Sequence, residues 1–328
     1  MLNQAPPFVC RTAEGGASHP SGGVALGTMN FGRRTPEPEA RRIVERAYER
    51  GVRVIDTANV YENGESERIV GKAIGKRRDE LVIATKVGLA RKGGKAEGLS
   101  PEVIARACDE SRARLRVDAI DLYYLHAPDP EVPERATIEA MAELTRAGKI
   151  RGLGVSNYAS WQILEILEHC QAAGIARPMV AQQMYNLLVR QLDLEYFRFA
   201  ERYAIHTTTY NALAGGLLAR ELSFDQVPSG SRFDKNAMYM RRYWSRAFFE
   251  AMERYRALAA EAQRSLASFA YGWLAARTNV DSVLIGPATV EQLDFALDAL
   301  AQPLEASMLA RVDAIARDLS GTDASYAR

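Results

Sequence analysis

Short apolar runs alternate with longer segments of helical period along almost the whole chain. Eight runs rich in Val, Ile and Leu predict strands: GVALGTM, VRVIDTA, ELVIATKV, IDLYYLHA, IRGLGVSN, MVAQQMYN, IHTTTYNA and VDSVLIGPA. Between them, PEPEARRIVERAYERG and SWQILEILEHCQAAG are typical of helices, because the first opens with Pro and charge and ends at Gly, and the second has an apolar face. Eight strand-then-helix units in one chain favour a closed parallel (β/α)8 TIM barrel of the α/β class over an open sheet.

Two segments fall outside this eightfold pattern. Residues 221–240, ELSFDQVPSGSRFDKNAMYM, are long and polar for a strand-to-helix connection, and they predict an extended functional loop after strand 7. EASMLARVDAIARDLS predicts an extra C-terminal helix. Because no Pro-, Gly- or Ser-rich linker divides the chain, we expect an irregular segment over residues 1–23 and a single (β/α)8 barrel domain over 24–328.

Charge and hydropathy exclude several classes of partner. The 328 residues include 42 basic and 41 acidic side chains, a formal net charge of +1 that gives no field for nucleic acid or an anionic membrane. No apolar window is long enough to span a bilayer, and the N-terminus lacks the pattern of a signal peptide. These features predict a cytoplasmic globular protein that recognises a small molecule locally.

The cysteines and histidines do not predict a metal site. Cys10, Cys108 and Cys170 are too far apart in sequence for a close dithiol or metal pair, so we interpret them as reduced structural thiols. The four histidines, His19, His126, His169 and His206, are also scattered. With His169 predicted on a helix and His206 at the start of a strand, neither joins His126, and a metal-dependent barrel enzyme is disfavoured.

Ionisable residues close three neighbouring strands. Asp56 ends the second, in VIDTANVY, Lys86 the third and His126 the fourth, and Tyr61 follows Asp56 by five residues. Taken singly, they have ordinary interpretations: a helix cap, a lysine that reaches water, a core histidine and a loop aromatic. Because the C-terminal ends of barrel strands meet at one face, all four together indicate an active site.

These four side chains form an acid of suitable strength. A free phenol has a pKa of about 10, and an adjacent ammonium lowers that pKa. Lys86 would do this for Tyr61, and Asp56 would keep the buried lysine charged. His126 would orient the substrate oxygen. Tyr61 would then protonate an oxygen on which negative charge develops, as when hydride reaches a carbonyl carbon.

Several motifs resemble those of the aldo-keto reductases. They are VIDTANVY, ATKVG, YLHAPDP, GLGVSNY and YNALAGGLL. Within that family, LGTMNFGRR, NGESE, QMYNLLVRQ and MYMRRYWSRAFFEAME are most similar to the subgroup of aflatoxin-aldehyde and succinic-semialdehyde reductases. The resemblance implies an eight-stranded barrel that binds NADP(H) without a Gly-rich nucleotide motif, and an NAD(P)H-dependent reductase of aldehydes and ketones.

The resemblance also implies the cofactor contacts. Asn157 and Gln182, with Ser156 beside them, would hold the nicotinamide carboxamide, and Tyr210 would stack on the ring. The remaining cofactor positions are spread over the other strand ends and the extended loop: Met29, Asp56, Asn211, Leu213, Gly215, Arg232, Gly286 and Gln292. Among these, Asn211, Leu213 and Gly215 resemble the pyrophosphate loop, and Arg232 resembles a phosphate contact.

The sequence departs from the family at the expected adenosine end. Ala288, Phe295 and Ala296 stand where the family generally has polar or charged residues that hold the adenosine 2′-phosphate. Ala212 replaces a customary Pro, which loosens the loop modestly. We therefore expect NADPH to be preferred with relaxed selectivity, and use of NADH remains open.

The substrate side is predicted from the same resemblance. Tyr61 and His126 would contact the carbonyl, Trp244 would supply an apolar wall, and Arg242 with the terminal Arg328 would bind a carboxylate such as that of succinic semialdehyde. The alternative is a slow-turnover NADP(H)-binding sensor or accessory subunit, because potassium-channel β-subunits resemble the same family. The sequence leaves the physiological substrate open, and the chain is expected to be a monomer or homodimer.

Overall fold

The eight predicted strands form a closed barrel. The computed structural model describes residues 23–178 and 180–320. Around the barrel each strand lies beside its neighbour in sequence, and the first pairs with the last in parallel. The strands are β1 Val24–Gly27, β2 Val54–Asp56, β3 Val82–Val87, β4 Leu122–Leu125, β5 Leu153–Ser156, β6 Val180–Met184, β7 His206–Tyr210 and β8 Ser282–Ile285.

Helices follow the strands, as the alternation predicts. The bounds are α1 Glu37–Glu49, α2 Glu65–Ile74, α3 Pro101–Leu115, α4 Glu134–Arg146, α5 Ser160–Ala173, α6 Tyr196–Arg202, α7 Ala237–Tyr243, α8 Arg246–Glu261, α9 Leu266–Ala275, α10 Val290–Leu300 and α11 Ala306–Ser320. Ser100 begins α3 by accepting a hydrogen bond from the Val103 amide. The predicted TIM barrel and its extra C-terminal helix, α11, are confirmed.

The predicted extended loop after β7 is present, and it ends at residue 236 rather than at about 240. A 3₁₀ turn covers Ala214–Ala219, and residues 220–236 form turns and irregular structure. The predicted loop ran to residue 240, but α7 begins at Ala237 because the Asn236 side chain accepts from the Tyr239 amide and caps the helix. A small antiparallel ribbon, Arg91–Lys92 with Lys95–Ala96, was not predicted.

The inside of the barrel is filled by side chains. Alternate strand residues form one cluster: Ala25, Val54, Val82, Ala84, Leu122, Tyr124 and Val180, with Leu284 against it. Tyr124 is the largest of them, and a Cβ at Gly154 on the next strand would lie 2.5 Å from its ring. Gly154 therefore makes room for an aromatic ring in the barrel interior.

The described residues divide into two compact units. One holds the residues up to Gln183, Arg198–Thr208 and Asp281–Leu293, which include most of the barrel strands. The other holds Met184–Phe197, Thr209–Val280 and the residues from Asp294 onward. The prediction of a single domain over 24–328 stays a prediction, and residues 1–22 of the predicted N-terminal segment lie outside the described residues.

Two of the cysteines can be assessed. Cys108 and Cys170 are buried and free, as expected for structural thiols, whereas Cys10 lies outside the described residues. Burial, assisted by Asp109, raises the pKa of Cys108 to about 11. Burial raises the pKa of Cys170 to about 12. Among the helices described, none is long and apolar enough to cross a membrane.

Candidate active site

A buried ion pair lies at the ends of β2 and β3. Lys86 Nζ donates to Asp56 Oδ1 and to the carbonyl of Thr57, the latter at 2.8 Å. Gln182 Nε2, from β6, donates to the other carboxylate oxygen of Asp56 at 2.9 Å. Lys86 is 0% exposed and Asp56 1%. Every oxygen of this carboxylate is therefore bonded, which meets the requirement for keeping charge in the interior.

Burial and the neighbouring carboxylate have opposite effects on the protonation of Lys86. Burial lowers the pKa of this lysine, Asp56 raises it, and the balance lies below the ordinary lysine value. Two phenol rings stand close to the ammonium, with the centroid of Tyr61 at 5.3 Å and that of Tyr124 at 5.6 Å. The structure thus brings Asp56, Lys86 and Tyr61 together, as the sequence predicted.

His126 follows β4 beside this group. Its ring lies edge-on to Tyr61, with 6.1 Å between the centroids. Burial and the nearby Lys86 lower the pKa of His126 to about 3, so the imidazole is neutral at physiological pH. Nδ1 is buried and has no hydrogen-bond partner among the described residues. A neutral imidazole offers one N–H, which suits it to donate to an oxygen rather than to carry a charge.

The ends of β5 and β6 carry the amides expected to bind nicotinamide. Ser156 and Gln182 face each other in register, and Asn157 Nδ2 donates to Ser156 Oγ at 3.1 Å and to the His126 carbonyl at 2.9 Å. Asn157 has a φ of 64°, a conformation that Asn adopts more readily than most residues. Hydroxyl and amide groups at adjacent strand ends offer the donors and acceptors that a carboxamide requires, so this donor set fits a nicotinamide.

The segments that follow β1 and β8 carry the remaining predicted cofactor residues of the first compact unit. Met29 follows β1 and is 37% exposed. Asn30 Nδ2 donates to the carbonyl of Gly286, after β8, at 2.9 Å. Gln292 Oε1 accepts from the Ala288 amide at 2.9 Å, and it therefore stabilises the turn into α10. The predicted cofactor roles of Met29, Gly286 and Gln292 stay predictions.

The other predicted cofactor residues belong to the second compact unit. Tyr210 ends β7 and is half-buried. Asn211 Oδ1 accepts from the Gly215 amide at 3.0 Å, while its Nδ2 donates to the Tyr243 hydroxyl at 2.7 Å. Leu213 precedes the 3₁₀ turn, and Gly215 has a φ of 71° with the Tyr239 ring 2.7 Å from where a Cβ would stand. Glycine is thus required in this turn.

The predicted basic and aromatic contacts lie in the same unit. Arg232 is half-buried. Burial raises the pKa of Tyr271 above its ordinary value, and the charge of Arg232 offsets part of that rise. The guanidinium of Arg242 lies 5.9 Å from the centroid of Tyr239. Trp244 Nε1 donates to the Phe224 carbonyl at 2.9 Å. Arg328 lies outside the described residues, so its predicted carboxylate contact stays a prediction.

The three departures from the family occupy different environments. Ala296 is 2% exposed and packs within the fold, whereas Phe295 is 43% exposed and edge-on to Tyr271 at 6.5 Å. The carbonyl of Ala288 accepts from Thr35 Oγ1 at 3.0 Å. Within the described residues, no group of three or more His, Cys, Asp or Glu side chains is arranged to hold a metal ion.

Two buried side chains near the Asp56–Lys86 ion pair, Tyr124 and Glu67, were not predicted from the sequence. Tyr124 lies inside the barrel, where hydrogen bonds with Gln182 and Thr208 partly offset the rise in its pKa caused by burial and Asp56. Glu67 is also fully buried, bonded to Thr85 next to Lys86. Gly154, inside a strand, was a usable signal for Tyr124, because glycine in a strand marks a close approach.

The closed parallel barrel brings a lysine, a carboxylate, a phenol and a neutral imidazole together at its strand ends, a set of groups that is chemically able to transfer a proton to an oxygen. The Aldo/keto reductase family model matches residues 23–317. The chain therefore belongs to the aldo/keto reductase family, and it is an NAD(P)H-dependent oxidoreductase that acts on aldehydes and ketones.

Individual relatives agree with this assignment. The chain is 32% identical over 327 residues to aflatoxin B1 aldehyde reductase member 2 of Homo sapiens, covering 94% of this chain and 90% of the relative. It is 31% identical over 302 residues to aflatoxin B1 aldehyde reductase member 4 of Homo sapiens, covering 87% and 91%. A probable voltage-gated potassium channel subunit beta of Arabidopsis thaliana is 30% identical over 271 residues, covering 81% and 83%. The predicted family and subgroup resemblance are confirmed.

Proposed function

We propose that the protein reduces aldehydes and ketones to alcohols with NADPH, using Tyr61 as general acid. The observation that carries this proposal is the buried Lys86, bonded to Asp56 and 5.3 Å from the centre of the Tyr61 ring. An ammonium held at that place stabilises the phenolate that remains when Tyr61 gives up its proton. Asp56 and Gln182 keep the ammonium in position.

The roles of the other residues follow from their chemistry. When bound, the nicotinamide supplies the hydride. Ser156, Asn157 and Gln182 orient its carboxamide, and Tyr210 stacks on its ring. His126, neutral because burial and Lys86 lower its pKa, donates a hydrogen bond to the carbonyl oxygen without competing as an acid. The proton comes from Tyr61.

The proposed substrates are small aldehydes, including carboxylated ones such as succinic semialdehyde. Support comes from the relatives named as aflatoxin B1 aldehyde reductases and from the basic residues Arg242 and Arg328. The proposed NADPH preference depends on Arg232, because Ala288, Phe295 and Ala296 offer no charge to a 2′-phosphate. A monomer or homodimer in the cytoplasm is proposed for the assembly and location.

The test measures initial rates of NADPH and NADH oxidation with succinic semialdehyde, a neutral nitrobenzaldehyde and a diketone. We expect Tyr61→Phe to lower kcat about 10²- to 10⁴-fold, because the proton donor is removed. Tyr48→Phe is the matched control, since Tyr48 is a half-buried residue of α1, outside the strand ends, and its hydroxyl bonds Glu80. Equal losses in the two variants, or none in Tyr61→Phe, would contradict Tyr61 as the acid.

The same rates separate the second candidate function. This second candidate is a slow-turnover NADP(H)-binding sensor or accessory subunit, and its support is the Arabidopsis thaliana relative named as a probable potassium channel subunit. Tight cofactor binding with negligible turnover on every carbonyl would support the sensor, whereas robust turnover lost in Tyr61→Phe supports the reductase. Catalytic efficiency with NADH equal to or above that with NADPH would remove the proposed cofactor preference.

A further inference from the structure

The first turn of α2 is bonded to residues adjacent to both members of the buried ion pair. The Ser66 hydroxyl lies 3.0 Å from the Thr57 hydroxyl, beside Asp56, and it donates to the Thr28 carbonyl at 2.9 Å. Glu67 Oε1 accepts from Thr85 Oγ1, beside Lys86, at 2.6 Å. These side chains are 0% exposed. The helix is therefore fixed to the residues next to Asp56 and next to Lys86.

Arg114 holds Glu67 from the opposite side. Its Nε donates to Glu67 Oε2 at 2.6 Å, and its Nη2 donates to Ser111 Oγ at 3.2 Å. The arginine passes directly beneath Gly64, where a Cβ would stand 2.7 Å from the Arg114 side chain. Glycine at 64 thus leaves the space through which α3 reaches the carboxylate of α2.

Gly64 closes the turn that begins with Tyr61. Glu62, Asn63 and Gly64 have φ values of 46°, 53° and 84°, three successive residues in the left-handed region. Such a run costs free energy for the two non-glycine residues, so the surrounding contacts must hold it in place. Arg114 and Glu67 lie at the end of this turn, and Tyr61 lies at its start.

We propose that Glu67 is a positioning residue of the active site. Glu67 is held by Arg114 and bonds Thr85, so it connects β3, which carries Lys86, to α2, which begins just after the turn at Tyr61. In this way it fixes the spacing between the Lys86 ammonium and the Tyr61 phenol. This inference rests on the proposed function of Tyr61 and Lys86. It explains why a charged residue outside the proposed catalytic group is buried completely.

Electrostatics support the same role. Among the groups acting on Lys86, burial lowers its pKa, while Asp56 and Glu67 raise it. Loss of the Glu67 carboxylate would leave both Arg114 and Lys86 with less negative charge nearby. The carboxylate therefore helps to keep the lysine protonated as well as in place.

The test compares Glu67→Gln with Glu65→Gln. Glu65 lies in the same helical turn and makes a partly exposed ion pair with Arg68, so it is the matched control for loss of one carboxylate. We expect Glu67→Gln to lower kcat about 10- to 100-fold, with KM for the carbonyl and Kd for NADPH changed less than about twofold, because reacting groups are misplaced while binding contacts remain. Glu65→Gln should match the wild type.

A second pair of variants covers the case in which Glu67→Gln does not fold. Thr85→Val removes the hydroxyl that bonds Glu67, and Thr85→Ser retains it. We expect Thr85→Val to lower kcat and Thr85→Ser to restore it. Wild-type kcat in a folded Glu67→Gln, or equal rates in the two Thr85 variants, would overturn the proposal. If Tyr61→Phe matches the wild type, the proposed function has failed instead.

Discussion

Each compact unit contains a cation that is largely shielded from solvent and paired with carboxylate, and the two ion pairs are built differently. Lys86, in the first unit, bonds Asp56 and a carbonyl and is 0% exposed. Arg190, in the second, bonds Asp193 at 2.5 Å and Asp313 at 2.8 Å, and its side chain is 11% exposed. Both satisfy the general requirement that a buried charge be paired.

The pKa values of Arg190 and Lys86 are shifted in opposite directions. Burial lowers the pKa of Arg190, but Tyr185, Asp193 and Asp313 raise it, so the balance lies above the ordinary value. For Lys86, burial outweighs the carboxylates and the pKa falls. Arginine stays charged in proteins, whereas a lysine shifts its pKa readily when buried. A permanently charged pair is suited to holding structure, and a poised pair is suited to chemistry.

The largest expected effect is on catalysis at the first centre. We expect Lys86→Met to lower kcat by about 10²- to 10⁴-fold, because the phenolate of Tyr61 loses its stabilising charge. Steady-state carbonyl reduction measures this. Lys72→Met is the control, since Lys72 makes a partly exposed ion pair with Glu37. A fall in kcat of less than tenfold in Lys86→Met would contradict a catalytic role for Lys86, and with it the proposed difference from Arg190.

The second centre should respond in stability instead. Arg190→Met removes one partner of Asp193 and of Asp313, while Arg277 still pairs with both carboxylates, and we expect the free energy of unfolding to fall by about 2 to 3 kcal/mol. The rate per folded molecule should stay at the wild-type value. Denaturant unfolding measures the first quantity, with Arg256→Met, whose pair with Glu253 is partly exposed, as a control expected to lose less than about 1 kcal/mol. A fall in kcat would refute the purely structural role.

The smallest expected effect is a pH dependence at the first centre. His126 is neutral in the native state because burial and Lys86 lower its pKa to about 3, from 6.5 when unfolded. Its contribution to stability is therefore complete above pH 6.5 and is lost as the pH falls toward 3. At pH 5 the loss should be about 2 kcal/mol.

The measurement compares unfolding free energies at pH 7.5 and pH 5 in the wild type and in His126→Asn. The variant should lose less stability on acidification by that amount, since it has no imidazole to protonate. The same pH dependence in both proteins would mean that His126 is not held neutral by its surroundings.

The barrel could be predicted because each strand can be recognised from a short stretch of sequence. A strand buried on both sides appears as a continuous apolar run, as in β1, VALG, and β4, LYYL. β6, VAQQM, and β7, HTTTY, contain polar residues, but all eight predicted runs became strands. The ribbon at Arg91–Lys92 and Lys95–Ala96 escaped because its sequence is polar, although Gly93 and Gly94, with φ values of 61° and 86°, are a hairpin signal. The early start of α7 depended on one capping side chain.

The site was predictable where one strand end supplies one functional group. Asp56 and Lys86 could be placed at one face from their positions alone. Glu67 and Arg114 could not, because their importance depends on a contact between two helices, 47 residues apart in the chain. Tyr124 was hidden for a similar reason, since its hydroxyl meets Gln182 and Thr208 from other strands.

Burial of the described cysteines has a consequence for an enzyme that handles electrophiles. Aldehydes react with thiolates, and the thiolate fraction at neutral pH depends on the thiol pKa. With pKa values of about 11 and about 12, Cys108 and Cys170 remain protonated and enclosed at any physiological pH. Neither thiol offers a nucleophile to the aldehydes that the enzyme is proposed to reduce, so these two positions are protected against modification by its own substrates.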